Sequence, residues 1–355
     1  MTTNAINPKD TTTLIGLDSA INEIQTGVGF LRNSGLFDEQ LTPRDTILQE
    51  INKATQRGML GFTERRGREK VKQTRRKQKA FSIQLPYQET IEEVAKEDVY
   101  QVAKSWNDAT EAQVMDLYIR KMTAMKESMD NAHEFIVWTA AQGQTRDPFD
   151  GEVVLDMFAE MGVTRPTVTL DLTNNTFDVI AWMAEFRNQI IRANKRNVNL
   201  GIIEIMVPQA VFTKIIGHPS VRGLYNAGWQ TQKQAYVDKV TNIGSVKRGD
   251  YGVVSEFEEN GVRFVVAPQV FILEDTGEEF LAVEENKGFS IVRGIREGYK
   301  MFFGQSNSLT DSSLSKVYAK RSPIIDDAYF EITASSAPMA YITVPELCFD
   351  FTFVV

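Results

Sequence analysis

Nine basic side chains are concentrated in one short stretch of the sequence, TERRGREKVKQTRRKQKAF, from Thr63 to Phe81. They are Arg65, Arg66, Arg68, Lys70, Lys72, Arg75, Arg76, Lys77 and Lys79. Only Glu64 and Glu69 oppose them within the stretch, and without it the 39 basic and 47 acidic residues of the chain become 30 and 45, a net charge of −15. Such a basic run attracts phosphate groups or an acidic protein surface.

Three interpretations of this basic run stay open when its residues are considered alone. It is a solvated loop without a ligand, a phosphate-binding element, or a docking element for an acidic protein. No aromatic residue lies between Thr63 and Ala80 to stack on nucleic-acid bases, which counts against the second interpretation. For the third, the most available acidic partner is a second copy of this chain, with its body of net charge −15.

Residues for catalysis or metal binding are sparse. The chain has two histidines, His133 and His218, and one cysteine, Cys348, which are too few for a Cys/His zinc site. It contains no Walker phosphate loop, no nucleophile elbow and no calcium-loop pattern. GVGFLR, at Gly27, lacks the third glycine of a dinucleotide fingerprint. We therefore expect no catalytic residue, no metal site and no cofactor, and a function that is not enzymatic.

The composition is that of an ordinary globular protein. Of the 355 residues, 42% are hydrophobic and 24% are charged, so a core can be buried without disulfides or metals. A single cysteine suits a reducing compartment. The start, MTTNAINPKD, lacks the basic and apolar regions of a secretory signal, and no apolar run approaches the ~20 residues that cross a bilayer. We expect synthesis in a cytoplasm and no membrane contact.

Two elements must position the basic run. DTILQEIN and MLGF precede it, and FSIQLPY follows it with Phe81, Ile83 and Leu85 alternating with polar residues, which predicts a hairpin with a long charged tip. Residues 102–142 then contain no proline and no glycine. Their apolar stripe, at spacings of three and four, is Met115, Tyr118, Met122, Met125, Met129, Ala132 and Ile136. This predicts a helix of roughly 60 Å, ended by Gly143 and packed by its stripe onto a sheet.

The flanking segments predict an arm, an α/β module and a strand-rich tail. Residues 1–45 are polar with short apolar groups (Leu14, Ile15, Leu17; Phe30, Leu31; Leu36, Phe37) that can pin an arm to another surface. EVVLDMF predicts a strand, NNTFDVIAWMAEFRNQIIRANK a helix capped by Asn175 or Thr176, GIIEIMVP a buried strand, and QAVFTKIIG a short helix. YGVVSEFEENGVRFVVAP predicts a hairpin turning at Glu259-Asn260-Gly261. The tail strands are SKVYAKR, AYFEITA, MAYITV and LCFDFTFVV, the last containing Cys348.

This order of elements resembles the major capsid proteins of tailed phages with the Hong Kong 97-type fold, and more specifically the lambda-type major capsid protein E family. DPFDGEVVLDMFAEMGV, residues 147–163, is similar to the short hairpin that follows the long helix in that family. The closing segment SLSKVYAKRSPIIDDAYFEITASSAPMAYITVPELCFDFTFVV, residues 313–355, resembles the family's final strands. The element order covers nearly the whole chain.

The resemblance implies an α+β, Hong Kong 97-like phage capsid fold with five segments. They are an N-arm (1–45), an extended E-loop hairpin (46–86), a P domain with the long spine helix and its hairpin (87–165), an A domain (166–310) and the return strands of the P domain (311–355). Because the E-loop of this family lies across a neighbouring subunit, the nine basic side chains are implied to be intersubunit contacts. GHPSVRGLYNAG, with His218, Pro219, Arg222 and Gly223, is implied to lie near the ring axis.

The implied function is that of a major capsid protein that self-assembles into the icosahedral shell around the genome of a tailed bacteriophage. The implied location is the virion, after assembly in the host cytoplasm. The implied partners are other copies in hexamers and pentamers, a scaffolding protein, a portal, a decoration protein, and packaged DNA held without sequence-specific contact. The alternatives are an encapsulin-like nanocompartment shell and a nucleic-acid-binding protein that uses the basic hairpin.

The resemblance also bears on covalent links between subunits. In the namesake of the fold, an E-loop lysine is joined to an asparagine in a neighbour's P domain. This chain offers Lys70, Lys72, Lys77 and Lys79 in the corresponding loop. Its closing segment, Arg321 to Val355, contains no asparagine, and the last one is Asn307. We therefore expect a shell held without covalent links.

Overall fold

The computed structural model describes residues 12–27, 29–52, 78–102, 111–194, 198–223, 245–247, 253–267, 269–307, 314–322 and 329–355. The helices are α1 (Thr12–Glu23), α2 (Lys96–Val102), α3 (Glu111–Ala141), α4 (Met157–Met161), α5 (Val179–Ala193) and α6 (Gln209–Gly217). The strands to residue 207 are β1 (Asp38–Leu41), β2 (Thr46–Asn52), β3 (Gln78–Gln84), β4 (Gln88–Ala95), β5 (Gln144–Arg146), β6 (Val153–Asp156), β7 (Thr167–Asp171) and β8 (Ile203–Val207). The later strands are β9 (Ser245–Lys247), β10 (Val253–Glu259), β11 (Val262–Val266), β12 (Val270–Ile272), β13 (Glu279–Leu281), β14 (Lys287–Val292), β15 (Tyr299–Phe303), β16 (Tyr318–Arg321), β17 (Tyr329–Ser336), β18 (Pro338–Ile342) and β19 (Asp350–Val354).

The largest sheet is mixed and has the strand order β7-β19-β14-β8-β11-β10-β9. Its central strand β8 is buried at every position, as the apolar run GIIEIMVP predicts. The hairpin β10–β11 turns through Asn260 and Gly261, whose φ angles of 54° and 73° are those of a type I′ turn. The predictions of this buried strand and this hairpin are confirmed. Helices α5 and α6 pack on the sheet.

The long helix α3 is the spine of a second, smaller core. Its 31 residues extend about 46 Å, and it packs on the antiparallel sheet β16-β17-β4 and on β18 and β5. Tyr118, Met122, Met125 and Met129 are buried against that sheet. The predicted stripe is confirmed for these four side chains, whereas Ile136 is buried in the main core, Ala132 is half-buried, and the Met115 side chain lies outside the described residues. Gly143 follows the helix with φ of 87°, and a Cβ there would collide with the Phe158 ring.

The predicted start of the long helix is wrong. A helix continuing from Val102 would hold Asp98 and Lys121 about 34 Å apart. Lys121 Nζ instead lies 3.4 Å from an Asp98 carboxylate oxygen. Helix α2 therefore lies beside α3 and does not extend it. The absence of proline and glycine could not reveal this, since a helix can end without either; residues 103–110 are outside the described residues.

Two local predictions are corrected by side-chain capping. EVVLDMF is a strand only to Asp156, because the Asp156 carboxylate accepts hydrogen bonds from the amides of Phe158 and Ala159 and so begins α4. Helix α5 is capped by Asp178, not by Asn175 or Thr176. Asp178 Oδ1 accepts from the amides two and three residues ahead, at 3.0 and 3.1 Å.

The N-terminal and C-terminal segments both join the body of the chain. Phe30, Leu31 and Phe37 are buried in the main core, so these apolar groups pin the segment to its own subunit. Cys348 is buried ahead of β19, not within it, with its Sγ 3.4 Å from the Ala141 carbonyl oxygen. The closing segment contributes to three sheets: β17 pairs with both β16 and β4, β18 pairs with β15, and β19 pairs with β7 and β14.

Candidate functional site

The strand pair that carries the basic run is present. Strands β2 and β3 are antiparallel, with Cα partners from Thr46 and Gln84 to Asn52 and Gln78. Phe81 and Ile83 are buried on one face of this pair, and Tyr341 Oη donates to Gln49 Oε1 at 2.6 Å. Of the nine basic residues, Lys79 is placed in β3, and Arg65, Arg66, Arg68, Lys70, Lys72, Arg75, Arg76 and Lys77 lie outside the described residues. Their intersubunit role stays a prediction.

The predicted ring-axis segment is split between interior and surface. His218 is buried at the end of α6, with Nδ1 2.9 Å from Ser220 Oγ and Nε2 3.2 Å from the Asn174 carbonyl oxygen. Pro219, Arg222 and Gly223 are accessible in the turn of helix that follows. His218 therefore fixes the loop within its own subunit, while its neighbours are available for contact; the ring position itself stays a prediction.

A polar cluster centred on buried residues of α3 holds the N-terminal segment, and we call this cluster the arm clamp. It consists of Arg32, Glu39, Lys126, Asp130, His133, Glu134 and Lys316. At its centre, Glu134 is fully buried and accepts from the amides of Leu31 and Arg32 at 2.7 and 3.1 Å. Trp138 Nε1 donates to the same carboxylate at 2.9 Å. Burial raises the pKa of Glu134, against the lowering effect of these hydrogen bonds.

Charged groups extend the arm clamp on both sides of Glu134. Asp130 accepts from Lys126 Nζ at 2.5 Å and from Arg32 Nη1 at 2.8 Å. Arg32 Nε donates to Glu39 at 2.8 Å, and Glu39 also pairs with Lys316. Burial opposes ionisation of Asp130, but Lys126 and the other donors outweigh it and lower its pKa. The pairs join residues from the N-terminal segment, the spine helix and the tail.

His133 is held neutral inside the arm clamp. Arg32 Nη1 donates to its Nδ1 at 3.3 Å, so its Nε2–H donates to Ser336 Oγ at 3.2 Å, and Ser336 in turn donates to the Lys316 carbonyl oxygen. Burial, then the positive charges of Arg32, Lys126 and Lys316, lower its pKa well below 6.5, while Asp130 acts in the opposite direction. A protonated ring would present a second donor to a guanidinium.

We expect stability to fall in mild acid through His133. Its pKa is lower in the folded chain than in the unfolded chain, so its contribution is complete above about pH 6.5 and is lost as the pH falls towards the folded value. The loss is at most about 1.4 kcal/mol per pH unit for one proton. Urea unfolding of the unassembled chain at pH 7 and pH 5 measures it. His133→Gln should show a smaller change than the wild type; an equal change in both would contradict the assignment.

The sequence did contain a signal for the arm clamp. Lys126, Asp130, His133 and Glu134 are spaced at four, three and one residues, which places them on one side of a helix, next to the methionine stripe. A polar stripe on such a helix is ordinarily solvated. This polar stripe is buried only because the N-terminal segment packs over it. The local sequence pattern of the helix does not indicate that contact. Among the described residues no group of His, Cys, Asp and Glu is arranged to hold a metal ion.

A comparison with protein families decides the identity. The sequence pattern of the family described as phage major capsid protein E matches residues 13–353. The chain belongs to the phage major capsid protein E family. As a major capsid protein it forms the shell of the virion from copies of itself. Family membership favours this function over an encapsulin-like compartment or a nucleic-acid-binding protein.

Comparisons with individual proteins find the following similarities. The capsid protein is 23% identical over 260 residues to the major capsid protein of Salmonella phage Felix O1 (isolate Felix O1-VT1), covering 71% of this chain and 68% of the relative. Its fold is similar to the crystal structure of a protein described as a prophage capsid protein of E. coli CFT073, with a TM-score of 0.55, 14% identity and coverage of 96% and 98%. The mature capsid of bacteriophage PhiM1 is similar over 93% of this chain and 90% of its own, at 12% identity and a TM-score of 0.48.

The capsid protein has no membrane-spanning helix among its described residues, since none of these helices is both long and apolar enough to cross a bilayer.

Proposed function

We propose that the capsid protein has the Hong Kong 97-like fold and builds an icosahedral shell from hexamers and pentamers around the genome of a tailed phage. In this assignment residues 1–45 are the N-arm, 46–86 the E-loop, 87–165 the P domain, 166–310 the A domain and 311–355 the returning strands. The observation that carries the proposal is the β2–β3 pair, because it presents a strongly basic run at its open end in an otherwise acidic chain. The role is structural, without catalysis.

The basic run is proposed to lie on an acidic surface of a neighbouring copy. Each contact between opposite charges is individually weak and steers association, and it is strongest at low salt. Because each contact is weak, a misplaced subunit can dissociate before the shell closes. The many contacts together then stabilise the closed shell. The acidic body of the capsid protein suits a container that holds packaged DNA without sequence-specific contact. A scaffolding protein, a portal and a decoration protein are the further proposed partners, and the host cytoplasm is the proposed place of assembly.

Electron microscopy of the capsid protein, purified alone and with its proposed scaffolding protein, tests the proposal directly. We expect closed shells with five- and six-fold rings, and Pro219, Arg222 and Gly223 close to the ring axis. Their accessible position after α6 supports that placement. Open sheets, filaments or monomers at all protein and salt concentrations would refute the shell, and a map with these residues at the outer edge of a ring would refute the axial assignment.

We further expect the shell to come apart into single chains in denaturant. Residues 321–355 offer no asparagine for a link to an E-loop lysine, and Cys348 is buried in its own subunit. Boiled and reduced shells should therefore give one band at the monomer mass of 40.1 kDa on a denaturing gel. A ladder of multimers would contradict this expectation and would direct attention to asparagines outside the closing segment.

A further inference from the structure

The hairpin of β12 and β13 is a two-stranded ribbon with an apolar outer face. On its inner face Phe271 and Phe280 are Cα partners, and both rings contact Phe135 of α3 at centroid distances of 5.3 and 5.0 Å. On the outer face Val270 and Leu281 oppose each other and are 49% and 38% exposed. Ile272, next on that face, is 73% exposed, the largest fraction among the large apolar side chains that the structure describes. Exposed apolar groups that adjoin in this way mark an interaction surface.

The turn of the same ribbon is acidic. The segment between the strands reads LEDTGE, and Glu279 begins β13 opposite Ile272; Glu274, Asp275, Glu278 and Glu279 are all exposed. Within the part of the chain that the structure describes, none of these four carboxylates makes a salt bridge. The fold therefore presents an apolar strip beside an uncompensated negative edge. A partner for this surface needs apolar side chains followed by several positive charges.

One segment of the chain has that pattern. Met59, Leu60 and Phe62 stand directly before the nine basic residues of the run. Apart from Gln78 and Lys79, which begin β3, this segment belongs to residues 53–77, which connect β2 to β3 and lie outside the described residues. Elsewhere the chain has an acidic balance, so this is its most positive stretch. In this segment apolar side chains are followed by positive charges, and on the ribbon an apolar strip is followed by negative charges. The two surfaces are therefore complementary in both apolar character and charge.

We propose that the outer face of the β12–β13 ribbon is the docking surface for residues 59–79 of a second copy of the capsid protein. Leu60 and its apolar neighbours cover Val270, Ile272 and Leu281, and the basic run lies along the acidic turn. The inference rests on the proposed contact of the 46–86 hairpin with a neighbouring subunit, and it names the surface that receives the hairpin. A second copy is the occupant because the shell places identical chains side by side.

Cysteine pairs test the contact independently of the charge effect. One chain carries Ile272→Cys and a second chain carries Leu60→Cys; the two are co-assembled, oxidised and run on a non-reducing gel. We expect a band at twice the monomer mass, lost on reduction. Native Cys348 is buried and provides no competing thiol. The matched control replaces Ile272→Cys by Ile191→Cys, at an apolar residue of α5 that is 52% exposed, and should give no such band.

The outcomes separate this inference from the proposed function. Normal mixed shells without a dimer band, or with a band no stronger than the Ile191→Cys control, would overturn the docking surface and leave the shell intact. A shifted monomer band, seen only when both cysteines are on one chain, would show that the hairpin contacts its own ribbon and would also overturn the proposal. Failure of the wild-type protein to form shells would refute the proposed function itself, which electron microscopy of the same samples reports.

A charge exchange provides the second measurement. Glu274→Lys with Glu278→Lys should lower shell yield several-fold, because the acidic edge becomes repulsive to the basic run. Adding Arg65→Glu and Arg75→Glu to the same chain should restore much of the yield, since every contact then pairs opposite charges again. Reversal of two other exposed acids, Glu97→Lys with Glu127→Lys, should not be rescued by the same change. Equal rescue of both pairs, or of neither, would contradict docking at this edge.

Discussion

The Arg65→Glu, Arg75→Glu variant is expected to fold like the wild type and to fail to form shells at ordinary salt. Exposed charge changes usually alter the free energy of unfolding by no more than about 0.5 kcal/mol. The contact between subunits is more sensitive, because the reversed charges face an acidic chain of net charge −15 outside the basic run. A loss of about 1–2 kcal/mol per contact lowers each association constant roughly 5- to 30-fold, and a shell repeats that loss at every subunit.

Two measurements are needed for this variant. Thermal unfolding of the unassembled chain should match the wild type, and sedimentation should show the loss of shells. The matched control, Lys214→Glu with Lys320→Glu, makes the same change in net charge at two exposed lysines and should still assemble. Normal shells from the variant would refute an assembly role for the basic run. A lower unfolding temperature would show instead that the run is needed by its own subunit.

Glu134→Ala is expected to release the N-terminal segment from α3 and to destabilise the subunit by on the order of 3 kcal/mol or more. The substitution leaves the amides of Leu31 and Arg32 without their carboxylate acceptor in a buried place. A buried donor left without an acceptor costs about 1–3 kcal/mol. It also removes one of the two acceptors of Trp138 Nε1, which keeps a contact with Gln269. Since Phe30 and Leu31 are core residues, their packing is weakened at the same time.

The prediction is checked by urea unfolding together with limited proteolysis of residues 24–37. Glu134→Gln keeps one acceptor oxygen and should lie between the wild type and Glu134→Ala in both assays. Glu127→Ala, at an exposed position of the same helix, should stay within about 0.5 kcal/mol of the wild type. Unchanged cleavage of the N-terminal segment in Glu134→Ala would show that its apolar side chains alone hold it. In that case the arm clamp has no anchoring role.

Periodic patterns predicted much of the regular structure. The alternation of Phe81, Ile83 and Leu85 identified a half-buried strand, and β2–β3 pairing confirms it. The spacing of Tyr118, Met122, Met125 and Met129 identified the buried face of α3. These predictions succeed because one face of a strand or helix is buried in the core. Burial of one face requires apolar residues at a regular spacing, which is visible in the local sequence.

Contacts between distant residues were decided only by the tertiary structure. Helix α2 turns out to pack beside α3, Asp178 and not Asn175 or Thr176 caps α5, and the charged stripe from Lys126 to Glu134 is buried under residues 26–39. In each of these three cases several residues could have made the contact. The rest of the chain decides which of them comes close enough to do so. A local pattern states that a polar group needs a partner or water, but not which of them the fold supplies. The same holds for the β12–β13 ribbon, whose exposed face becomes meaningful only once its inner face is seen against α3.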